Sequence, residues 1–240
     1  MKLLLSLLAD PRRQTAGLAL VLPGIEGFSI WNRGIVRGLA EGGFPGAIEI
    51  FDWTRGRLHW LDNLQNSKRH AEQAGLIVER VIGYRTAHPN APLWLLGHSG
   101  GGGMTLLSLI ALHERAPDVR VTGGILLNPA ISRSFPLDVP LAQTERGLWN
   151  FCTMGDMFFL MLGTSLFGTI DRQRGCSAGA LGFLPSKQPV AAPPLTEVRW
   201  RPRMLLSGHP GGHLGVARPR FVRDYVAPIL MESVTSDHSV

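Results

Sequence analysis

An α/β fold, a mostly parallel sheet with helices on both faces, is what this chain of 240 residues predicts. Three observations carry the expectation. Short β-rich runs that end in Gly or Pro alternate with helical patterns along most of the length, as β–α–β crossovers require. The run from Leu93 to Leu96 is apolar at every position, as a strand covered on both faces must be. Apolar residues make up 45% of the chain and charged residues 18%, enough side-chain volume for a core, so general disorder is excluded.

The elements follow in order. Leu18 to Leu22 is a strand that stops at Pro23-Gly24, and a helix around Ile30 to Ala40 is closed by Gly42-Gly43. Ala47 to Phe51 is a second strand. Lys68 to Ala87 is a long helix, with Ala71, Ala74, Ile77, Val78, Val81 and Ile82 at i, i+3, i+4 spacing, and Pro89 and Pro92 follow it. After the third strand, Leu93 to Leu96, the stretch Met104 to Glu114 is apolar almost all round, the mark of a buried helix. Val121 to Leu127 and Leu148 to Thr153 are the fourth and fifth strands. Met204 to Leu206 is read as a sixth, and Pro219 to Leu230 as a C-terminal helix with its proline in the first turn.

No Pro/Gly/Ser linker divides two apolar patterns, so residues 1–240 are expected to form one domain, with 1–16 as an N-terminal segment and no large cap domain. The stretch 157–201 is long, starts very apolar and turns Pro-rich, which suits a lid or pocket insertion. The longest nearly apolar run is far shorter than the ~20 residues a spanning helix needs, so stable membrane insertion is not expected. The start, Met1-Lys2-Leu3-Leu4-Leu5-Ser6-Leu7-Leu8, lacks a convincing small-residue cleavage site, and a cytoplasmic address is the expectation. Cys152 and Cys176 are too few for a disulfide framework, and Cys152 reads as a core residue. The net charge of +6 raises the question of nucleic acid. The arginines are scattered and no stripe of aromatics alternates with them, so a solvated basic surface is expected and no nucleic-acid partner. Nucleotide binding is excluded in the same way, because Gly100 to Gly103 is not followed by Gly-Lys-Ser/Thr.

In a parallel sheet, ligands bind beyond the carboxyl ends of the strands. After the third strand comes Gly97-His98-Ser99-Gly100-Gly101, a G-x-S-x-G pattern. The pattern by itself is weak: with 29 glycines among 240 residues, about 0.2 matches arise by chance, and Gly175-Cys176-Ser177-Ala178-Gly179 is a second match. Context separates the two. Ser99 lies between an apolar strand and an apolar helix, where a sharp turn places a nucleophile and flanking glycines avoid Cβ clashes. Ser177 follows the polar run Asp171-Arg172-Gln173-Arg174 and reads as a turn.

A serine hydroxyl needs a base, a group to orient that base, and donors for the oxyanion. His209 and His213, after the expected sixth strand, compete as the base. His213 is favoured because it lies farther out on a Gly-flanked loop. Metal binding by the pair is disfavoured, since the i, i+4 spacing serves ligands on a helix and this is a loop. The orienting acid is expected at Asp156, just beyond the fifth strand, with Asp171 as second choice and Asp138 and Glu145 behind it. Gly100, opening a helix, supplies one oxyanion N–H, and the loop Pro23-Gly24-Ile25-Glu26-Gly27 supplies the other, Ile25 being first choice and Glu26 next. Glu26, His98, Phe158 and Phe159 are expected to line the substrate pocket.

With these residues the chain resembles the α/β-hydrolase superfamily, through Pro23 to Gly27 as oxyanion loop, Gly97 to Gly101 as nucleophile elbow, and the order Ser99, Asp156, His213. The resemblance spans about Leu18 to Leu230, and it departs at Pro23, where the family often has His. It implies a serine hydrolase acting on a small-molecule acyl ester, esterase- or lipase-like, with no cofactor and no metal. An acyltransferase on the same fold and a non-enzymatic binding member are the rival expectations.

Overall fold

The computed structural model describes residues 8–156, 169–173, 175–185 and 193–236. Six strands form one parallel sheet: β1 (Leu18–Leu22), β2 (Ala47–Ile50), β3 (Leu93–His98), β4 (Gly123–Leu127), β5 (Leu148–Cys152) and β6 (Leu195–Arg199), in the order β2-β1-β3-β4-β5-β6. The order reverses between β1 and β3. A crevice therefore opens there, at the carboxyl ends of the central strands.

Alternation along the strands divides the core into two layers. Leu18, Leu20 and Leu22 of β1, with Leu93 and Leu95 of β3, pack on one side. They meet α3 (Ser67–Ala87) through Ile77, Val78 and Val81, and α4 (Gly100–Arg115) through Leu106 and Leu109. Ala19, Val21, Trp94 and Leu96 point the other way, onto Ile35 and Leu39 of α1 (Ile30–Glu41) and onto Phe221, Val222 and Val226 near the C-terminus. Period-2 side chains with both faces buried explain why these strands read as unbroken apolar runs. The short helices α2 (Trp60–Gln65), α5 (Asp138–Ala142) and α6 (Ala178–Leu181) sit in the connections.

Two sequence expectations are corrected. Met204 to Leu206 is not a strand: it lies in a 3₁₀ helix, Pro202–Ser207, with Leu205 53% and Leu206 75% exposed. Pro202 at its start has no N–H to give a ladder, and the sixth strand is Leu195–Arg199 instead. The C-terminal helix, α7, is not one uninterrupted α-helix. It begins as Pro219–Phe221, passes through a π-helical turn at Val222–Val226 and continues as Ala227–Ser236. Cys152 is buried as expected, and burial pushes its thiol up to about 12. Among the described residues no helix is long and apolar enough to cross a membrane, and no cluster of metal-ligating side chains occurs.

Candidate active site

β3 runs into α4 through a single residue, Ser99, whose φ of 53° and ψ of −119° lie where a side chain is strained. Three backbone bonds hold the corner. Ser99 N–H donates to the Leu127 carbonyl at 3.0 Å, and the Ser99 carbonyl accepts from Gly102 and Ala130 N–H, each at 2.9 Å. The flanking glycines are required by close approach: a Cβ on Gly97 would fall onto the Gly101 carbonyl, and one on Gly101 onto the carbonyls of Leu22 and Pro23. The first and last residues of G-x-S-x-G therefore make the turn possible, while Ser99 remains 8% exposed at its apex. A six-stranded parallel sheet of this order, with a strained serine between its central strand and a buried helix, decides the architecture. The fold is that of the α/β-hydrolases.

No family model and no curated protein matches the chain. Solved structures similar to it are described as thioesterases, a cutinase-like protein, a hydrolase and a lipase. A cutinase-like protein from Cryptococcus sp. is 14% identical, covering 90% of this chain and 94% of that one, with a TM-score of 0.45. The NocB thioesterase domain from the nocardicin cluster is 15% identical, covering 92% and 94%, with a TM-score of 0.42. The RedJ thioesterase of the prodiginine pathway in Streptomyces coelicolor is 19% identical, with a TM-score of 0.36. That match covers 51% of this chain, which spans only 42% of the RedJ chain.

The loop from Pro23 to Gly27, the expected oxyanion loop, is pinned from behind. Trp53 Nε1 donates to the Pro23 carbonyl at 2.7 Å, and Asn63 Nδ2 to the Ile25 carbonyl at 2.8 Å. Gly27 N–H closes the turn onto the Gly24 carbonyl at 3.0 Å. A Cβ on Gly100 would stand 3.4 Å from the Ile25 nitrogen, so the two expected donors, Ile25 and Gly100, lie side by side at the elbow.

The loop that carries His209 and His213 is held at three carbonyls. Trp200 Nε1 donates to that of His209 at 3.0 Å, Thr153 Oγ1 to that of Gly211 at 2.6 Å, and Asn128 Nδ2 to that of His213 at 3.0 Å. Asn128 was not singled out by the sequence. It sits just beyond β4 with φ 46°, and its place at a strand end was the one available signal.

The two histidines end in different surroundings. The His209 ring is 1% exposed and packs edge-on against Phe221 at 4.7 Å. Its Nδ1 accepts the Gly211 N–H at 3.0 Å, and burial drives its pKa down to about 4. It is a core group that stays neutral. His213 is half-buried, and its ring lies 5.1 Å from that of His98, the residue preceding Ser99. His98 is itself enclosed at 1% exposure, and burial, reinforced by His213, pushes its pKa down to about 3. His98 thus forms a neutral floor beneath the elbow and His213.

Among the remaining candidates, the backbone of Asp156 closes a 3₁₀ turn, Met154–Asp156, immediately past β5. Its side chain, and all of Phe158 and Phe159, lie outside the described residues. Asp171 is fully engaged elsewhere: it accepts from Ser132 N–H at 3.1 Å and from the hydroxyls of Ser132 and Thr169, tying two loops together. Asp138 opens α5, and Glu145 pairs with Arg85 at 2.9 Å. Ser177 caps α6, accepting the Ala180 N–H at 3.3 Å, and is wholly buried, a structural serine as its polar context suggested. A cavity of about 420 Å³ opens at the ends of β5 and β6, lined by Thr153, Met154, Leu181, Trp200 and Gly211 among others, with neither Ser99 nor His213 among the described residues on its wall.

Proposed function

We propose that the protein is a serine hydrolase that cleaves carboxylic esters, and thioesters by the same chemistry, through an acyl-enzyme on Ser99. The observation that carries this reading is the strained Ser99 corner, whose preceding residue His98 has its ring 5.1 Å from that of His213. Ser99 Oγ attacks the substrate carbonyl carbon while His213 takes the hydroxyl proton. The resulting oxyanion is met by the N–H groups of Ile25 and Gly100, the latter at the positive end of α4. Collapse expels the alcohol or thiol, which leaves with the proton held by His213. Water then attacks the acyl group, gives its proton to His213, and Ser99 is restored as the acid departs. Asp156, at the end of β5, takes the role of fixing the imidazole.

The neutral, enclosed ring of His209 favours His213 as the base, since a histidine held near 4 is a poor proton acceptor at neutral pH. Exposed apolar residues in the segments that follow β1 and β2, Phe28 and Ile30 in the first and Leu58 and Trp60 in the second, suit an apolar acyl substrate. A fluorophosphonate probe tests the nucleophile: wild type should be labelled and Ser99→Ala should not. Labelling that persists in Ser99→Ala, or that maps to Ser177, ends the proposal.

A further inference from the structure

Oxyanion loops stabilise negative charge, yet this one carries a carboxylate beside its proposed donor. Glu26 follows Ile25, and its side chain folds back over the Cα of Gly24, where a Cβ would collide with Oε2. One oxygen, Oε1, accepts the Ser29 hydroxyl at 3.2 Å. Its chain neighbour Ile25 lies against Gly100 at the elbow, so Glu26 borders the candidate site, and no lysine or arginine pairs with it among the described residues. Asp52 is occupied, holding Phe28 N–H at 3.0 Å, Thr54 N–H at 3.0 Å and the Thr54 hydroxyl at 2.7 Å. The nearby Arg33 is turned onto the Phe28 ring, 5.8 Å from its centroid. Burial pushes the Glu26 carboxyl above its ordinary value, against the pull of its own backbone N–H and of the Ser29 hydroxyl. A carboxylate partly removed from water without a cation weakens the fold, and such groups gather where a ligand supplies the missing partner.

We propose that Glu26 is the subsite for a positively charged amino group, and that the preferred substrates are esters or thioesters bearing an ammonium group close to the scissile carbonyl, as aminoacyl esters do. The assignment rests on the serine-hydrolase reading and narrows its substrate class. Because Ile25 is to receive the carbonyl oxygen, its chain neighbour Glu26 reaches substituents one or two bonds from that carbonyl. An ammonium there gains a charge-assisted hydrogen bond to the carboxylate, at Oε2, the oxygen that Ser29 does not engage. A carboxylate in the same place meets like charge and is rejected.

Three methyl esters with one carbon skeleton test this: norleucine methyl ester, methyl hexanoate and monomethyl butylmalonate place an ammonium, a hydrogen or a carboxylate on the same carbon. At a pH where the amine is protonated, wild type should favour the ammonium ester over the neutral one by about tenfold or more in kcat/KM, and disfavour the anion. Glu26→Gln keeps an acceptor for Ser29 and removes the charge, so the preference should collapse towards parity. Gly24→Ala displaces the carboxylate without removing it and should also weaken the preference. Each readout is a ratio within one variant, so a change in absolute rate or folded fraction does not affect it. An alkylboronic acid with and without an α-amino group, competed against fluorophosphonate labelling, gives the same ratio without turnover. Equal ratios in wild type and Glu26→Gln, or a wild-type preference for the neutral or anionic member, overturn the subsite. Absence of labelling at Ser99 instead overturns the hydrolase reading beneath it.

Discussion

Lowering the pH from 8 to 5 should destabilise the fold through two histidines that it buries uncharged. His98 and His209 are each 1% exposed, and burial lowers them from an unfolded value of 6.5 to about 3 and about 4. At pH 5 the unfolded chain therefore binds about one more proton at each site than the folded chain does. Stability tied to these groups is complete above 6.5 and is lost as pH falls below it, because the unfolded state takes up the protons. Integrating from pH 8 to pH 5 gives about 2 kcal/mol for each histidine and about 4 kcal/mol together, a large part of a typical net stability. The result hardly depends on the folded values, provided both remain well below 5. His70, also lowered by burial, acts in the same direction. Glu26, raised by burial, opposes the trend in the lower part of the window. The carboxylates held low by hydrogen bonds, Asp62 by Asn66 and Asp224 by Arg223, contribute only as the pH approaches 3.8 and below.

Urea midpoints at pH 8, 6.5 and 5 check this. With a slope of about 3 kcal/mol per molar for a chain of this size, the midpoint should fall by about 1.3 M, nearly all of it below pH 6.5. His209→Gln shifts the whole curve downward by removing a packed ring, and it should also cut the pH-dependent part by about half. A midpoint that stays level between pH 8 and pH 5, or a slope unchanged in His209→Gln, would refute the idea that these imidazoles are enclosed and neutral.

Other outcomes follow from the same geometry. His213→Ala should abolish ester hydrolysis, whereas His209→Ala should cost about 2–4 kcal/mol of stability from the lost ring and leave kcat per folded molecule within a few-fold; steady-state kinetics beside urea titration separates the two. Gly101→Ala drives a methyl into the Leu22 and Pro23 carbonyls, so fluorophosphonate labelling should slow by about a hundredfold or more, in keeping with a misplaced nucleophile. Asn128→Ala releases the His213 carbonyl, and kcat should fall about ten- to a hundredfold with KM little changed. Cys176, half-buried, should be alkylated by iodoacetamide long before Cys152, whose thiol is enclosed and held near 12, as peptide mapping would record.

Five of the six strands were legible: β1 and most of β3 are apolar runs buried on both faces, and β2, β4 and β5 are short, mostly apolar runs in which one polar residue or glycines interrupt the pattern. β6 was not. As an edge strand it pairs with β5 alone and reads Leu-Thr-Glu-Val-Arg, with Glu197 turned inward to accept Asn150 Nδ2 at 3.0 Å and Phe183 N–H at 2.8 Å. Polar groups satisfied by tertiary partners look, in sequence, like a loop. Met204 to Leu206 misled for the opposite reason, since apolarity alone does not distinguish a strand from an exposed turn closed by Pro202. The start of α4 was hidden as well: it begins at Gly100 rather than Met104, because four glycines are poor helix formers that here let the helix approach its neighbours. The Ser99 elbow was legible since it is local, a strand, a turn and a helix within one stretch. The choice between His209 and His213 rested on place along a Gly-flanked loop, and what distinguishes them, the ring of Phe221 against His209, comes from a helix the motif does not contain.

The loops around the candidate site are fixed in a common way. Trp53 and Asn63 hold the carbonyls of Pro23 and Ile25, while Trp200, Thr153 and Asn128 hold those of His209, Gly211 and His213. All five are side-chain donors to backbone carbonyls. A carbonyl claimed from behind fixes the orientation of its peptide plane, and with it the direction of the next N–H. In the proposed oxyanion loop the Pro23 and Ile25 carbonyls so held orient the Gly24 and Glu26 N–H groups, and the Gly24 carbonyl, taken by Gly27 N–H, orients that of Ile25. The donors reach in from the connection after β2 and from the ends of β4, β5 and β6, so each loop is set by a neighbouring strand rather than by its own sequence. The sheet, through its register, thereby holds in place the loops that carry Ile25 and His213, the residues proposed to act with Ser99. A substitution at any of the five donors should misalign the chemistry without touching a reacting atom.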